Sequence, residues 1–199
     1  MNETYKVQVQ DLVDDLKAVF THAGLGGEAG EYKLLTQSFL YKFLNDKFLY
    51  QAKVLDESNT YENLLAMSEE DYDWLLEDIG TSTAWLKPDQ LIETLHRQQN
   101  EATFYETFEN TLNQIAIDNN DIFSVHTDGD TAIRLFDERL ITDTISDSSK
   151  RNEVAKAIIN LLARVKFDET IFSQGFDFFS TLFEYMIKDY NKDGGGKYA

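Results

Sequence analysis

Apolar residues recur every three or four positions along most of the chain, and strict alternation of apolar and polar residues is almost absent. This spacing puts apolar side chains on one face of an α-helix, so it predicts an all-α protein, an irregular multi-helix bundle. The pattern predicts helices over residues 5–22, 31–51, 61–67, 69–79, 88–100, 103–119, 150–165 and 176–191.

Residues that start and stop helices agree with these predictions. Four glycines between residues 24 and 30 separate the first two predicted helices, and Gly80 follows the fourth. Pro88 suits the first turn of the fifth, where a missing N–H costs nothing. Ser68 precedes three acids, which predicts an N-cap beside the positive end of a helix dipole.

The periodicity fails between residues 119 and 149. Two brief runs, 121–126 and 131–135, flank the turn sequence at 127–130, so a short two-stranded excursion near 121–136 stays open within an ordered loop. Elsewhere the apolar stripes are clear. The predicted helix over 103–119 buries one stripe, which consists of Phe104, Phe108, Leu112 and Ile115.

The composition is that of a globular protein, with 42% hydrophobic and 13% aromatic residues in 199. The chain has no cysteine, which excludes disulfides and thiolate metal sites and favours a reducing compartment. The first residues lack a signal-peptide pattern, and no apolar run is long enough to span a bilayer. We therefore expect a soluble, cytoplasmic protein without a membrane partner.

The formal net charge of −18 opposes binding to nucleic-acid phosphates. One segment differs, because residues 150–166 contain a single acid, Glu153, among five basic residues. The basic residues form a candidate surface for DNA or an acidic partner, and they are Lys150, Arg151, Lys156, Arg164 and Lys166. The alternative interpretation is an ordinary solvated helix face that balances neighbouring acids.

The other patterns that suggest a metal site or a catalytic site are incomplete. The run Asp189 to Gly194 matches the first half of a calcium loop, but Lys197 takes a ligand position and the twelfth position falls beyond the sequence. The three histidines belong to different predicted elements, without a partner at metal-ligand spacing. No nucleophile has a base beside it in the pattern. The sequence therefore predicts no catalytic, cofactor-binding or metal-binding residues in this chain.

Two segments carry a resemblance to a known family. The first is Phe183-Glu184-Tyr185-Met186-Ile187, followed by a charged turn and Gly195-Gly196-Lys197-Tyr198-Ala199. It resembles the lead-in to the catalytic domain of the modification (methyltransferase) subunit of type I restriction-modification systems. In that family an aromatic-Glu-Tyr-aliphatic-aliphatic run, a polar turn and a Gly pair precede a Glu-aromatic-Tyr-Thr-Pro box that contacts S-adenosylmethionine. The sequence stops short of that box.

The second segment is Glu31-Tyr32-Lys33-Leu34-Leu35 with Phe39-Leu40-Tyr41-Lys42-Phe43-Leu44-Asn45-Asp46. It is similar to the Glu-Tyr-Lys start and the Lys-Tyr-containing helix of the family's N-terminal helical domain, with Lys42-Phe43 in place of Lys-Tyr. The resemblance implies an N-terminal helical domain over 1–168. Residues 169–199 would then be a connecting helix and the Gly-rich start of a truncated catalytic domain.

By the same resemblance, the full-length protein would be a site-specific DNA-methyltransferase that methylates adenine N6 with S-adenosylmethionine. Its partners would be a specificity subunit, a restriction subunit and, through the complex, duplex DNA. The family's glycine-rich cofactor loop and Asn-Pro-Pro-aromatic tetrapeptide have no match here, where Pro88 is the only proline. This chain alone should be inactive and should bind no cofactor. The alternative is a non-enzymatic acidic helical interaction module or DNA mimic.

Overall fold

The computed structural model describes residues 3–123, 135–167 and 169–173. These residues form an all-α multi-helix arrangement, as the sequence predicts, and no strand occurs among them. The helices are α1 Glu3–His22, α2 Ala29–Leu55, α3 Tyr61–Ala66, α4 Glu69–Ile79, α5 Ile92–Gln98, α6 Phe104–Asp118, α7 Asn120–Phe123, α8 Leu140–Thr144, α9 Arg151–Arg164 and α10 Thr170–Ser173, with 3₁₀ helices at Pro88–Gln90 and Ser148–Lys150.

Two stretches depart from the predicted elements. The predicted helix over 88–100 is divided, because Leu91 has an extended backbone with ψ 143° between the 3₁₀ helix and α5. The two-stranded excursion near 121–136 begins instead with the helical turn α7, and residues 124–134 lie outside the described part of the chain. The predicted helix over 176–191 also lies outside the described residues.

The helices α2 and α9 form the centre of the bundle. α9 packs against α1, α5 and α6, and α2 packs against α1, α4 and α8. The predicted stripe of α6 is confirmed, because Phe104, Phe108, Leu112 and Ile115 are all fully buried. Burying each large apolar side chain stabilises a fold by roughly 1.5–3 kcal/mol, so this packing dominates the stability of the bundle.

Two buried tyrosines fix the segment that leads into α5. The Tyr41 hydroxyl donates to the Gln90 carbonyl oxygen at 2.6 Å, and the Tyr72 hydroxyl donates to the Leu86 carbonyl oxygen at 2.6 Å. Burial raises the pKa of both phenols above the ordinary value. Both tyrosines therefore act as neutral donors to backbone carbonyls that helices do not satisfy.

Asparagine side chains join parts of the backbone that are far apart in sequence. Asn119, fully buried at the end of α6, accepts from the Trp85 backbone N–H at 2.7 Å and donates to the Trp85 carbonyl at 2.8 Å. Asn152 of α9 likewise accepts from the Tyr105 N–H at 3.0 Å and donates to the Ala102 carbonyl at 2.6 Å. Each amide thus satisfies backbone groups at a helix end or in a loop that would otherwise lack partners.

The short helix α8 is held at both ends by charged side chains from other helices. At its start the Glu109 carboxylate of α6 accepts from the Thr142 N–H at 2.6 Å and from the Thr142 hydroxyl at 2.8 Å. At its end the Arg151 guanidinium donates to the Ile145 carbonyl at 2.9 Å. An anion at the N-terminus and a cation at the C-terminus both complement the helix dipole.

The predicted start and stop of α4 are confirmed. The Ser68 hydroxyl oxygen accepts from the Asp71 N–H at 3.1 Å, and the hydroxyl donates to the Asp71 carboxylate at 2.6 Å. Gly80 closes the helix with φ +65°, a conformation that favours glycine. No helix in the described part of the chain combines the length and the apolar character that crossing a bilayer requires.

Candidate functional site

A cleft of about 550 Å³ opens beside the end of α9. Its walls come from α2, the start of α3, α5, the end of α9 and α10. No histidine, serine or cysteine stands among the described residues that line it. The cleft is lined by charged, polar and aromatic side chains, among them Lys42, Asp46 and Tyr50.

A buried ion pair forms the floor of this cleft. The Lys42 ammonium lies 3.0 Å from the Asp46 carboxylate one turn away on α2, with 5% and 16% of the side chains exposed. The Asn45 amide donates to Asp46 at 2.9 Å, and its carbonyl oxygen accepts from the Ile92 N–H at 2.9 Å. Asp46 also accepts a backbone hydrogen bond from Phe167. We call Lys42, Asn45 and Asp46 the α2 clamp.

Burial dominates the protonation equilibria of the clamp. It raises the pKa of Asp46, although the Lys42 charge and the hydrogen bonds from Asn45 and Phe167 act in the opposite direction. Burial lowers the pKa of Lys42, and the Asp46 charge partly offsets this. Each buried charge is stabilised by its partner. The hydrogen bonds of the clamp connect α2 to α5 and to the chain after α9.

The rim of the cleft carries further ion pairs. Arg97 of α5 donates to Glu62 at 2.6 Å and to Glu93 at 3.2 Å, and its guanidinium lies 4.8 Å from the Tyr61 ring centroid. Lys53 lies 3.6 Å from the Glu169 carboxylate. These opposite charges largely balance, so the rim does not form a phosphate-binding surface of the kind that needs several unpaired cations.

The segment after α9 packs along the same wall. Phe172 of α10 lies between two rings of α2, with centroids 5.8 Å from Phe43 and 5.5 Å from Tyr50. Phe167 is buried beneath the Lys42 ammonium, which lies 5.7 Å from its ring centroid. The described residues after α9 therefore pack along the face of α2 that carries the clamp.

The five basic residues predicted as a contact surface point in several directions. Arg151 is half-buried, because it caps α8 and lies 5.8 Å from the Tyr105 ring centroid. Arg164 pairs with Asp15 of α1 at 2.9 Å. Lys166 lines the cleft, Lys150 lines a groove against α1, and Lys156 is half-exposed on α9. Residues five apart on a helix differ by about 140°, so Arg151 and Lys156 cannot share one face.

The groove beside Lys150 is a second concave surface, with a volume of about 520 Å³ between α1 and α9. Three alanines and two valines line it, with His22, Lys150 and Glu153 at its polar edge.

The predicted absence of metal chemistry stays a prediction: among the described residues, no three potential ligands come together. His96 lies 3.0 Å from the Asn160 side-chain oxygen, and His126 falls outside the described residues.

Sequence reasoning missed the α2 clamp and its cleft. A Lys and an Asp four residues apart inside the aromatic-rich run from Phe39 to Phe48 is a signal that could have found it, because charges within a buried stripe must pair.

Comparison with models of protein families, with curated proteins and with solved structures gives no match to this chain. The functional argument therefore rests on the chain's own residues.

Proposed function

We propose that this chain is the N-terminal helical domain of the methyltransferase subunit of a type I restriction-modification system. The observation that carries the proposal is the position of the second resembling segment. It lies in α2, at the centre of the bundle, and it supplies all three residues of the α2 clamp. The segment that resembles the family thus lies in one of the two central helices of the bundle.

The role proposed for the domain is docking. Asp46 of the clamp accepts a backbone hydrogen bond from Phe167, and Phe172 packs against α2 near the start of residues 169–199. In the proposed division, residues 1–168 form the helical domain and residues 169–199 lead into a catalytic domain. The helical domain would hold that domain beside the specificity subunit and help to enclose duplex DNA.

The proposed activity belongs to the full-length protein, which would transfer a methyl group from S-adenosylmethionine to adenine N6. An adenine inside a duplex must leave the base stack before N6 is accessible, so the complex has to hold DNA in a deformed state. The restriction subunit would join the larger complex. In this proposal the chain supplies no methyl-transfer residue, and the proposed setting is the cytoplasm.

The test uses the full-length gene product co-expressed with a specificity subunit of a type I system from the same genome. We expect transfer of labelled methyl groups from S-adenosylmethionine to adenine in duplex DNA, and a Glu-aromatic-Tyr-Thr-Pro box in the sequence beyond Ala199. Absence of methyl transfer by the assembled complex, with DNA bound, would overturn the proposal.

A separate observation supports a second candidate function. Between residues 54 and 86 the chain has no Lys, Arg or His and nine acids, which are Asp56, Glu57, Glu62, Glu69, Glu70, Asp71, Asp73, Glu77 and Asp78. This density of negative charge favours a non-enzymatic acidic interaction module or a DNA mimic. The two candidates separate in one assay: a DNA mimic displaces duplex DNA from a DNA-binding protein, whereas a methyltransferase domain does not.

A further inference from the structure

The outer face of α4 is exposed and carries an unusual arrangement of side chains. Trp74 lies at its centre and is 61% exposed. The residues three and four positions away on either side are Glu70, Asp71, Glu77 and Asp78, and all four are exposed. Positions at these spacings surround a helical residue, so four carboxylates flank one exposed indole. We call these five residues the Trp74 face.

The buried side of α4 is complete without this surface. Tyr72, Leu75, Leu76 and Ile79 are buried and form the opposite stripe, which packs on α2. Trp74 adds nothing to that stripe, although burying an indole gives more free energy than burying almost any other side chain. An exposed tryptophan on a helix whose core face is already filled is the kind of residue that anchors protein interfaces.

The acids beyond the first turn of α4 oppose the helix that carries them. Glu69, Asp73 and Glu77 stand four residues apart, and like charges at that spacing destabilise a helix. Glu77 and Asp78 lie in the last turn, beside the negative end of the dipole, and that turn has no basic residue. None of the six α4 acids forms an ion pair with another residue in the described part of the chain. A cationic partner would relieve this repulsion.

We propose that the Trp74 face binds a Lys/Arg-rich segment of a partner protein. The Trp74 indole inserts between apolar side chains or beneath a guanidinium, and the surrounding carboxylates pair with the partner's cations. Charge complementarity selects this occupant, because four carboxylates repel nucleic acid and anionic lipid alike. A small cation would neutralise the acids but would leave the indole exposed. The inference is independent of the methyltransferase proposal.

The experiment titrates the full chain with an amphipathic peptide in which Arg and Lys flank Leu along one helical face. A matched peptide replaces every basic residue with Gln. We expect saturable binding of the basic peptide and no binding of the Gln peptide. Binding should shift the Trp74 fluorescence to the blue as the indole leaves water. Trp74→Phe should abolish the shift, since Trp85 is half-buried with its indole N–H bonded to the Gly80 carbonyl.

Charge-matched variants separate local recognition from the general field of an acidic protein. Replacing Glu70, Asp71, Glu77 and Asp78 by their amides should weaken binding roughly tenfold or more, because the anchor loses its charged surround. The same four-charge change at Asp11, Glu28, Glu106 and Glu153, which lie outside α4, should have little effect. Equal weakening by both sets overturns the proposal. So does an equal fluorescence shift with magnesium or calcium alone, or with duplex DNA.

Discussion

The Lys42 ammonium and the Asp46 carboxylate lie 3.0 Å apart on the buried side of α2. Removing two charges from water costs several kcal/mol, and the attraction between them offsets that cost only while both are present. Asn45 and the Phe167 backbone supply the remaining hydrogen bonds of Asp46. The pair therefore makes the position of the chain after α9 depend on α2.

We expect Lys42→Met to lower the free energy of unfolding by about 3–5 kcal/mol, because it leaves the Asp46 charge buried without a partner. The double variant Lys42→Met with Asp46→Leu should recover part of this loss, because it removes the unpaired charge but leaves the Asn45 amide and the Phe167 N–H without their acceptor. Urea denaturation of the parent, both single variants and the double variant gives the coupling energy directly.

The matched control is Arg164→Ala, which breaks the exposed pair with Asp15. Exposed ion pairs contribute about 0–1 kcal/mol, so the free energy of unfolding should change little. If Lys42→Met costs no more than Arg164→Ala, the clamp does not stabilise the fold and the docking argument built on it fails.

Gly30, in the first turn of α2, contacts α8. A Cβ at this position would lie 2.6 Å from Cγ2 of Thr144. Glycine to alanine in a helix normally increases stability, but here the added methyl overlaps a side chain whose hydroxyl bonds to the Leu140 carbonyl. We expect Gly30→Ala to lower the free energy of unfolding by about 1–3 kcal/mol.

Thr144→Ser supplies the check on this prediction, because it removes the methyl group and keeps the hydroxyl. In the Thr144→Ser background, Gly30→Ala should be neutral or stabilising when thermal unfolding is followed by circular dichroism. The effect of Gly30→Ala is measured in the parent and in the Thr144→Ser background under the same conditions. Equal destabilisation in the two backgrounds would contradict the contact.

A pH-dependent prediction concerns Asp147, before the second 3₁₀ helix. Its carboxylate accepts from the Ser149 hydroxyl at 2.6 Å and from the Ser149 backbone N–H at 3.0 Å. These bonds hold the pKa of Asp147 below its ordinary value of 3.8. Its stabilisation is therefore present above pH 3.8 and is lost as the pH falls through the lowered pKa of the folded state.

We expect Asp147→Asn to lower the melting temperature at neutral pH, since the neutral amide accepts weaker hydrogen bonds than the carboxylate. The difference from the parent should disappear on acidification, once Asp147 itself is protonated. In a Ser149→Ala background the pH dependence should shrink, because the hydroxyl contributes most to the shift. A difference that stays constant from neutral pH to below pH 3.8 would contradict this assignment.

The apolar pattern predicted the longer helices well because periodicity is local information. The stripe of α6 and the bounds of α4 both follow from residues inside one helix or next to it. The helix α8 was missed, because five residues are too few to show a period. Its ends are satisfied by Glu109 and Arg151, which come from other helices.

The candidate site was harder to predict because its contacts join residues that are far apart in sequence. Asn45 bonds to a backbone group 47 residues away, and Asn119 to one 34 residues away. Nothing in the residues around either asparagine indicates that partner. The basic segment shows that composition gives the charges but not their contacts. The sequence contains five cations there, and the packing of α9 shows that Arg151 caps another helix.

The last prediction separates Arg151 from its neighbour Lys150. Arg151 donates to the Ile145 carbonyl at 2.9 Å and lies over the Tyr105 ring, whereas Lys150 is exposed. Arg151→Gln should lower the free energy of unfolding by about 1–3 kcal/mol, because it leaves helix-end carbonyls without a donor. Lys150→Gln should change it by no more than about 0.5 kcal/mol.

This difference decides how a DNA-contact role for the basic segment can be measured. A loss of DNA binding in Arg151→Gln would mix unfolding with lost contact, so the informative variants are Lys150→Glu and Lys156→Glu in the complex that we propose for the full-length protein. If these lysines face DNA, both variants should weaken binding and reduce its salt dependence, while the melting temperature stays at the parent value. Unchanged binding and an unchanged salt slope would mean that the lysines form an ordinary solvated face.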